Sequence, residues 1–479
     1  MGWSVPEIPK RAPATDWSPW VCLFIILIVT AAGFSWILLF APAEGGSFLT
    51  SSSWLSVAGY MMLTILSALT LYLLWWEIQA LSIWFWNDWR MNMHCAWQRH
   101  SHQHMCIVNQ VILTPEAECI PRLIGLSGAD GSETKPATLF PDEGLVPGIS
   151  RFEKICQTLI KQSTSSLAGQ YPAGPLTVVI QTSAEITDHL QQQQRITALW
   201  QRLALPWTLS VEVLPAAFPF EYWNNQLLTM PHPVLVLALH YRLMDEVLPE
   251  FACALLLAPS SMRLTDKQHE AVRLFRAMPL KISKLTAELE DLRKMAQQPS
   301  ETIRLVWVSG LTAPQLQRLM ATTHDLSLSL YRSAPMVGVI DFDKGTECYG
   351  YLAGWLMLCV ATETVNYDME SHWLLWADDQ QAWAMAAGTR MPVSFQHAEN
   401  STATPFPAGG MMLAVMLNIL LLWFLGQSYP EDLFSWWGMV FSVVVTGLSL
   451  PGVALGLRKL VARVMLPGFI HAADKAWKE

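Results

Sequence analysis

Four long apolar runs, arranged as a pair near each end of the chain, constrain this sequence more than any motif in it. A helix rises about 1.5 Å per residue, so roughly 20 apolar residues cross a bilayer core. The runs are Trp20–Phe40, Leu55–Trp76, Met411–Gly426 and Trp436–Leu457, and none contains Asp, Glu, Lys, Arg or His. The third is short, but its flanks from Asn400 to Pro430 are also uncharged. Four such runs do not fit the buried helices of a soluble core. A cleaved signal peptide fits poorly as well, because the first run is too long and a second follows it. The expected architecture is therefore an α/β domain flanked by two pairs of transmembrane helices, with the lipid bilayer as the first partner.

Charge sets the expected orientation, because Lys and Arg collect on the cytoplasmic side. Lys10 and Arg11 precede the first run, and Arg458, Lys459, Arg463, Lys475 and Lys478 follow the fourth. The loop Ala41–Trp54 carries Glu44, the loop Gln427–Ser435 carries Glu431 and Asp432, and neither has Lys or Arg. Both termini and the central domain are thus expected in the cytoplasm of a bacterial inner-membrane protein. Transport generally requires intramembrane ionisable groups. Here Asn418 is the one strongly polar side chain in the runs besides hydroxyls, so they read as anchors or as packing surfaces.

The net charge is −9, and no basic patch points to nucleic acid. Of the eight cysteines, seven fall on the expected cytoplasmic side, where reduced thiols are the rule. The expected divisions are a cytoplasmic N-terminus (1–19), a transmembrane hairpin (20–76), a juxtamembrane stalk and loop (77–148), an α/β domain (149–399), a second hairpin (411–457) and a basic tail (458–479). Glu77–Met93 reads as a helix leaving the membrane along the interface, its tryptophans at headgroup depth. Gly125–Gly148 reads as a loop and Ile149–Ser165 as an amphipathic helix. Strands are expected at Leu176–Gln181, Leu209–Leu214, Pro233–Tyr241, Ala252–Ala258, Thr302–Ser309 and Val337–Phe342. A closing pair follows at His372–Ala377 and Ala382–Ala387. Helices are expected at Gln191–Arg202, Thr265–Met278, Ser283–Met295, Ala313–Thr323 and Tyr349–Val365. Near-continuous apolar strands alternating with helices imply a sheet covered on both faces.

Three stretches resemble the C-terminal part of a ketoacyl synthase of the thiolase fold: Pro249–Pro259 (PEFACALLLAP), Glu347–Val365 (ECYGYLAGWLMLCVATETV) and His372–Gly388 (HWLLWADDQQAWAMAAG). The resemblance spans Leu176–Gly388 and implies a thiolase-like domain. That family works with a Cys nucleophile and two His, one in a His-Gly-Thr-Gly-Thr segment. The segment is absent here, so the resemblance implies a degenerate domain, a pseudoenzyme, and carries over no catalytic residue. The layout, with Pro147–Leu159 (PGISRFEKICQTL), is also similar to inner-membrane proteins found with bacterial type VI secretion systems. That likeness implies a non-enzymatic scaffold with protein partners in the membrane and cytoplasm.

Several residues invite chemistry. His94, Cys95, His100, His102, His104 and Cys106 lie close together in sequence and are suitable ligand types for zinc or copper. On a strand, His100, His102 and His104 would share one face. A juxtamembrane segment whose His meet headgroups is the favoured reading, since no Cys-x-x-Cys pair and no second half-site is present. Cys348, just before a helix, is the better nucleophile candidate, because a helix N-terminus favours a thiolate. Cys253 reads as a buried inert thiol, and His240 as a core or strand-end His. Asp341-Phe-Asp343 reads as a strand-end turn, since the other ligands of a calcium loop are missing. Lys281–Lys294 reads as a solvated helix with pairs such as Glu290–Lys294. No cofactor is expected. The competing functions are a membrane-bound acyltransferase or condensing enzyme, a metal-responsive membrane protein, and immunity to a membrane-targeting toxin.

Overall fold

The computed structural model describes residues 3–4, 6–40, 51–115, 138–140, 149–183, 189–218, 220–240, 249–262, 271–332, 338–346, 350–366, 370–378, 381–392 and 403–478. The chain divides into two compact units, Met1–Val5 with Ala96–Phe395, and Pro6–Cys95 with Gln396–Glu479.

The second unit is helical. It contains α1 (Pro19–Phe40), most of α2 (Ser51–Ser101), α10 (Ala408–Ser428), the short α11 (Pro430–Leu433) and α12 (Trp436–Lys478). Four of these helices are long and apolar enough to cross a membrane. They start close to where the apolar runs start, but α2 and α12 continue far past the runs' ends, and α12 passes through Pro451 and Pro467 without stopping. Large apolar side chains such as Trp20, Phe24, Met62, Phe424 and Val443 stand exposed, as a lipid-facing surface requires.

Small residues let the helices approach. A side chain at Gly409 would meet the backbone of Leu73 and Leu74, and one at Gly410 would meet Ala454. Asn418 donates to Ser449 Oγ at 2.6 Å, joining α10 to α12. Glu77, one residue beyond the second apolar run, is fully buried, and its Oε2 accepts the Gly410 N–H at 2.7 Å. A carboxylate there complements the positive end of α10. Arg458 donates to Pro405 O at 2.8 Å, just before the same helix begins.

The tryptophans after Glu77 correct the headgroup expectation in part. Trp86 is buried with Ile8, Phe469 and Ala473, its Nε1 donates to Pro9 O, and Arg11 lies 3.8 Å over its ring. A folded N-terminal segment thus covers a side chain expected at the lipid surface.

The first unit is a mixed α/β sheet of eleven described strands. Its elements are β1 (His104–Leu113), α3 (Arg151–Thr164), β2 (Gly174–Thr182), α4 (His189–Arg202), β3 (Trp207–Val213), α5 (Phe220–Asn225), β4 (Val234–His240) and β5 (Phe251–Pro259). They continue with β6 (Arg273–Phe275), β7 (Met278–Leu280), α6 (Leu285–Met295), β8 (Ile303–Ser309), α7 (Ala313–Asp325), β9 (Val339–Asp341), α8 (Phe342–Thr346), α9 (Ala353–Asn366), β10 (Ser371–Ala377) and β11 (Ala382–Gly388). Strand order is β3-β2-β4-β5-β1-β6-β11-β10-β8-β9, with β7 also on β11.

That order contains a duplication. In one half β2 runs parallel to β3 and β4, and β4 is antiparallel to β5. In the other half β8 runs parallel to β9 and β10, and β10 is antiparallel to β11. The helices repeat too: α3 precedes β2 as α6 precedes β8, and α4 follows β2 as α7 follows β8. The halves meet where β1 pairs with β6.

Local signals explain several boundaries. A reciprocal capping box, Ser150 with Glu153, starts α3, and Thr312 with Gln315 starts α7. Ala296, left-handed at φ 51°, ends α6. Gly310 at φ +79° turns the chain out of β8, where a side chain would collide with the Ala377 carbonyl.

Two expectations change. Arg273–Phe275 and Met278–Leu280 are strands, although Thr265–Met278 reads as a helix. Val272, Arg273, Leu274 and Phe275 are all buried, so the segment has no exposed face from which a period could be read. The sheet also takes in His104–Leu113, which the sequence reading assigns to the stalk.

Candidate functional site

The centre of the first unit is an aromatic layer around α9. This helix is buried along its length and packs against β1 and β5 of one half and β8, β10 and β11 of the other. Phe218 and Phe220, leading into α5, meet Trp355 of α9, Trp376 of β10 and Trp383 of β11, with ring centroids 4.9–5.6 Å apart. Trp355 Nε1 donates to Gln181 Oε1 at 2.7 Å, and Gln181 Nε2 donates to Pro215 O and Ala217 O. Tyr351 Oη donates to Thr182 O at 2.8 Å. The C-terminal end of β2, where parallel sheets commonly receive ligands, is closed by these side chains. Gly354 permits the fit, since a Cβ there would enter the Phe218 ring.

The thiols are equally enclosed. Cys253 on β5 is buried, as the sequence reading expects, and its partner is Cys359 of α9, within hydrogen-bonding reach. Burial, reinforced by Cys253, pushes the Cys359 thiol well above its ordinary range. Cys156 is raised by burial as well. A thiol held protonated is a poor nucleophile. Cys348 lies outside the described residues, as do Cys119 and most of Gly125–Gly148.

The six candidate metal ligands are spread over different elements, and His100, His102 and His104 do not share a strand. His94 and Cys95 belong to the helical unit. His100 sits in the last turn of α2, His102 in the turn after it, and His104 and Cys106 on β1. His102 Nε2 is 2.7 Å from Met295 O, and His104 Nδ1 is 2.9 Å from His102 O. Each of these nitrogens must carry the proton, since a carbonyl only accepts. Burial holds both imidazoles below the usual histidine range. Among the described residues, no three His, Cys, Asp or Glu gather as a metal site.

Asp343 accepts from Ser309 Oγ at 2.9 Å and Gly310 N–H at 2.6 Å, so it fixes the turn after β8, while Lys344 pairs with Asp341 at 3.8 Å. His240 closes β4 and stacks on Phe251. On α6, Glu290 pairs with Arg293 at 2.6 Å rather than with Lys294.

Sequence reasoning missed a group at the junction of the halves. Arg276, between β6 and β7, is buried beside Gln103 and Asn224, and Trp3 covers its guanidinium. Its one sequence signal is shared with Arg273: two arginines inside an otherwise apolar run, Val272–Leu280.

No protein-family model and no curated protein matches this chain. Solved structures do. One is the AntDE–AntF complex, a type II PKS acyl-carrier protein with its ketosynthase bound to the hexaketide (TM-score 0.41, 9% identity, 60% of this chain and 99% of that chain). Others are AbyA1, a tetronic acid condensing enzyme (0.38, 12%, 59% and 99%), and cerulenin-bound OleA of Xanthomonas campestris (0.36, 11%, 60% and 98%). Identities this low place none of their catalytic residues on this chain.

Proposed function

We propose that this chain is a multi-pass membrane protein whose α/β unit is a non-enzymatic binding module that holds a protein partner at the membrane. The observation that carries this reading is the filled centre of the unit. Trp355, Phe218, Phe220, Trp376 and Trp383 occupy the space between the two halves, and burial pushes the Cys359 thiol there well above its ordinary range. An acyl-transferring enzyme needs a substrate channel to an activated nucleophile. The finer assignment, a scaffold at the bacterial inner membrane serving type VI secretion, with both termini and the α/β unit in the cytoplasm, rests on the sequence resemblance and on the Lys and Arg distribution.

Two experiments test the proposal. Crosslinking in the native host, followed by detergent extraction and mass spectrometry, is expected to recover secretion-machine subunits. Recovery of acyl-carrier protein or lipid-synthesis enzymes would count against it. Intact-mass analysis of the full chain incubated with acyl-CoA and acyl-carrier protein donors is expected to show no adduct. An adduct lost in Cys348→Ala would establish the condensing-enzyme reading instead.

A further inference from the structure

Arg276 is only 9% exposed. Burying a guanidinium is costly unless its charge and its five N–H donors are matched. One side is matched: Nη1 donates to Gln103 Oε1 at 2.7 Å and to Asn224 O at 3.3 Å. The other side is not. Nε is sealed from solvent without a partner, and Nη2 makes no hydrogen bond among the described residues. No carboxylate among the described residues pairs with Arg276. Nε and Nη2 form one edge of the guanidinium, with two parallel N–H groups suited to two oxygens of one anion.

That edge is held in place. The Arg276 N–H donates to Gln103 O at 2.9 Å, and Gln297 Nε2 donates to Arg276 O at 2.9 Å. The next residue, Ala277, is gripped in both directions by Asn224, at 2.7 and 2.9 Å. Trp3 lies 5.3 Å from the guanidinium carbon, and the His100 ring is 6.0 Å from the same Trp3 ring. Fixing donors before a ligand arrives lowers the ordering cost of binding it.

We infer that Arg276, with His100 and Trp3 around it, forms a binding site for a phosphoryl group. Two phosphoryl oxygens meet the open edge of Arg276, and a third remains for an imidazole N–H of His100. A carboxylate has no third oxygen. The Trp3 ring, which faces the guanidinium, forms one wall of the site. A free phosphate compound and a phospholipid headgroup both present this chemistry.

The test uses the full chain in a phosphate-free maltoside detergent. Inorganic phosphate, dioctanoyl phosphatidate and, as a neutral control, dioctanoylglycerol are titrated separately by calorimetry. Saturable binding of phosphate or phosphatidate is expected, with dioctanoylglycerol silent. Binding of both assigns a free-phosphate site, whereas binding of phosphatidate alone assigns a lipid headgroup. Arg276→Lys keeps the charge but removes the parallel donors, and is expected to weaken binding about tenfold or more. His100→Gln, at a half-buried position, is a second variant that spares the buried arginine should Arg276→Lys fail to fold, and is expected to weaken binding several-fold. Absence of saturable binding to the wild-type chain, or affinity unchanged in both variants, overturns the site.

Discussion

The two halves of the sheet share one strand plan but fill the space between them unequally. The first half offers the six-residue α5 between β3 and β4, whereas the second offers the fourteen-residue α9 between β9 and β10. The second half therefore supplies the central helix for both. The first half answers with aromatic side chains, Phe218 and Phe220, and with Gln181 at the end of β2. Duplicated topology does not impose duplicated packing. One copy can supply the core while the other becomes the wall against which it packs.

The largest expected effects concern positions that only one half uses. Gly310→Ala forces a side chain into a left-handed turn and against the Ala377 carbonyl. It should cost roughly 3 kcal/mol or more, seen as a large drop in the melting temperature of the first unit. A variant that melts like wild type would show that the β8 turn does not hold the second half together. Gln297→Ala is next. Gln297 ties Ser101 O, Arg276 O and the Ala386 N–H, so its loss strands three buried backbone groups. About 3 kcal/mol is expected, measured by denaturant unfolding of the full chain in detergent. Trp355→Phe keeps the ring packing but leaves Gln181 Oε1 without its donor across the halves. About 1–2 kcal/mol follows, and a null result would mean that aromatic contact alone joins them.

The same contrast explains how much of this was legible in sequence. Long apolar runs and nearly continuous apolar strands such as Val234–His240 and Phe251–Pro259 announced themselves, because covered strands need no polar face. The junction of the halves did not. β1 follows α2 after two residues, and His104 at its start read as one of a cluster of candidate ligands in the stalk. β6 carries Arg273 in a buried position, which no hydrophobic pattern anticipates. The duplication is a property of pairing order, and pairing between distant segments leaves no local trace. The open edge of Arg276 depends on where Gln103 and Asn224 arrive from elsewhere in the chain, so a list of residue types could not have disclosed it. Cys253 was legible as a buried thiol, but its neighbour Cys359 was not, because helix and strand meet only in the fold.

The smallest effects compare the equivalent helices α3 and α6, which open the two halves with different devices. α3 starts on the Ser150–Glu153 capping box, whereas α6 lacks a side-chain cap and carries the surface pair Glu290–Arg293. Ser150→Ala should cost about 1 kcal/mol, the usual worth of a cap. Arg293→Ala should cost no more than about 0.5 kcal/mol, because both side chains are partly exposed and solvent screens them. The pH dependence separates the two. The Arg293 side-chain hydrogen bond holds the Glu290 carboxyl below its ordinary value. Its contribution is present above the ordinary carboxylate pKa and is lost as pH falls through the lowered folded value. Unfolding of wild type and Arg293→Ala should therefore differ slightly at neutral pH and converge in acid. If instead Arg293→Ala destabilised the chain as much as Ser150→Ala, α6 would depend on its surface charges for stability, and the two halves would differ at their edges as well as at their centre.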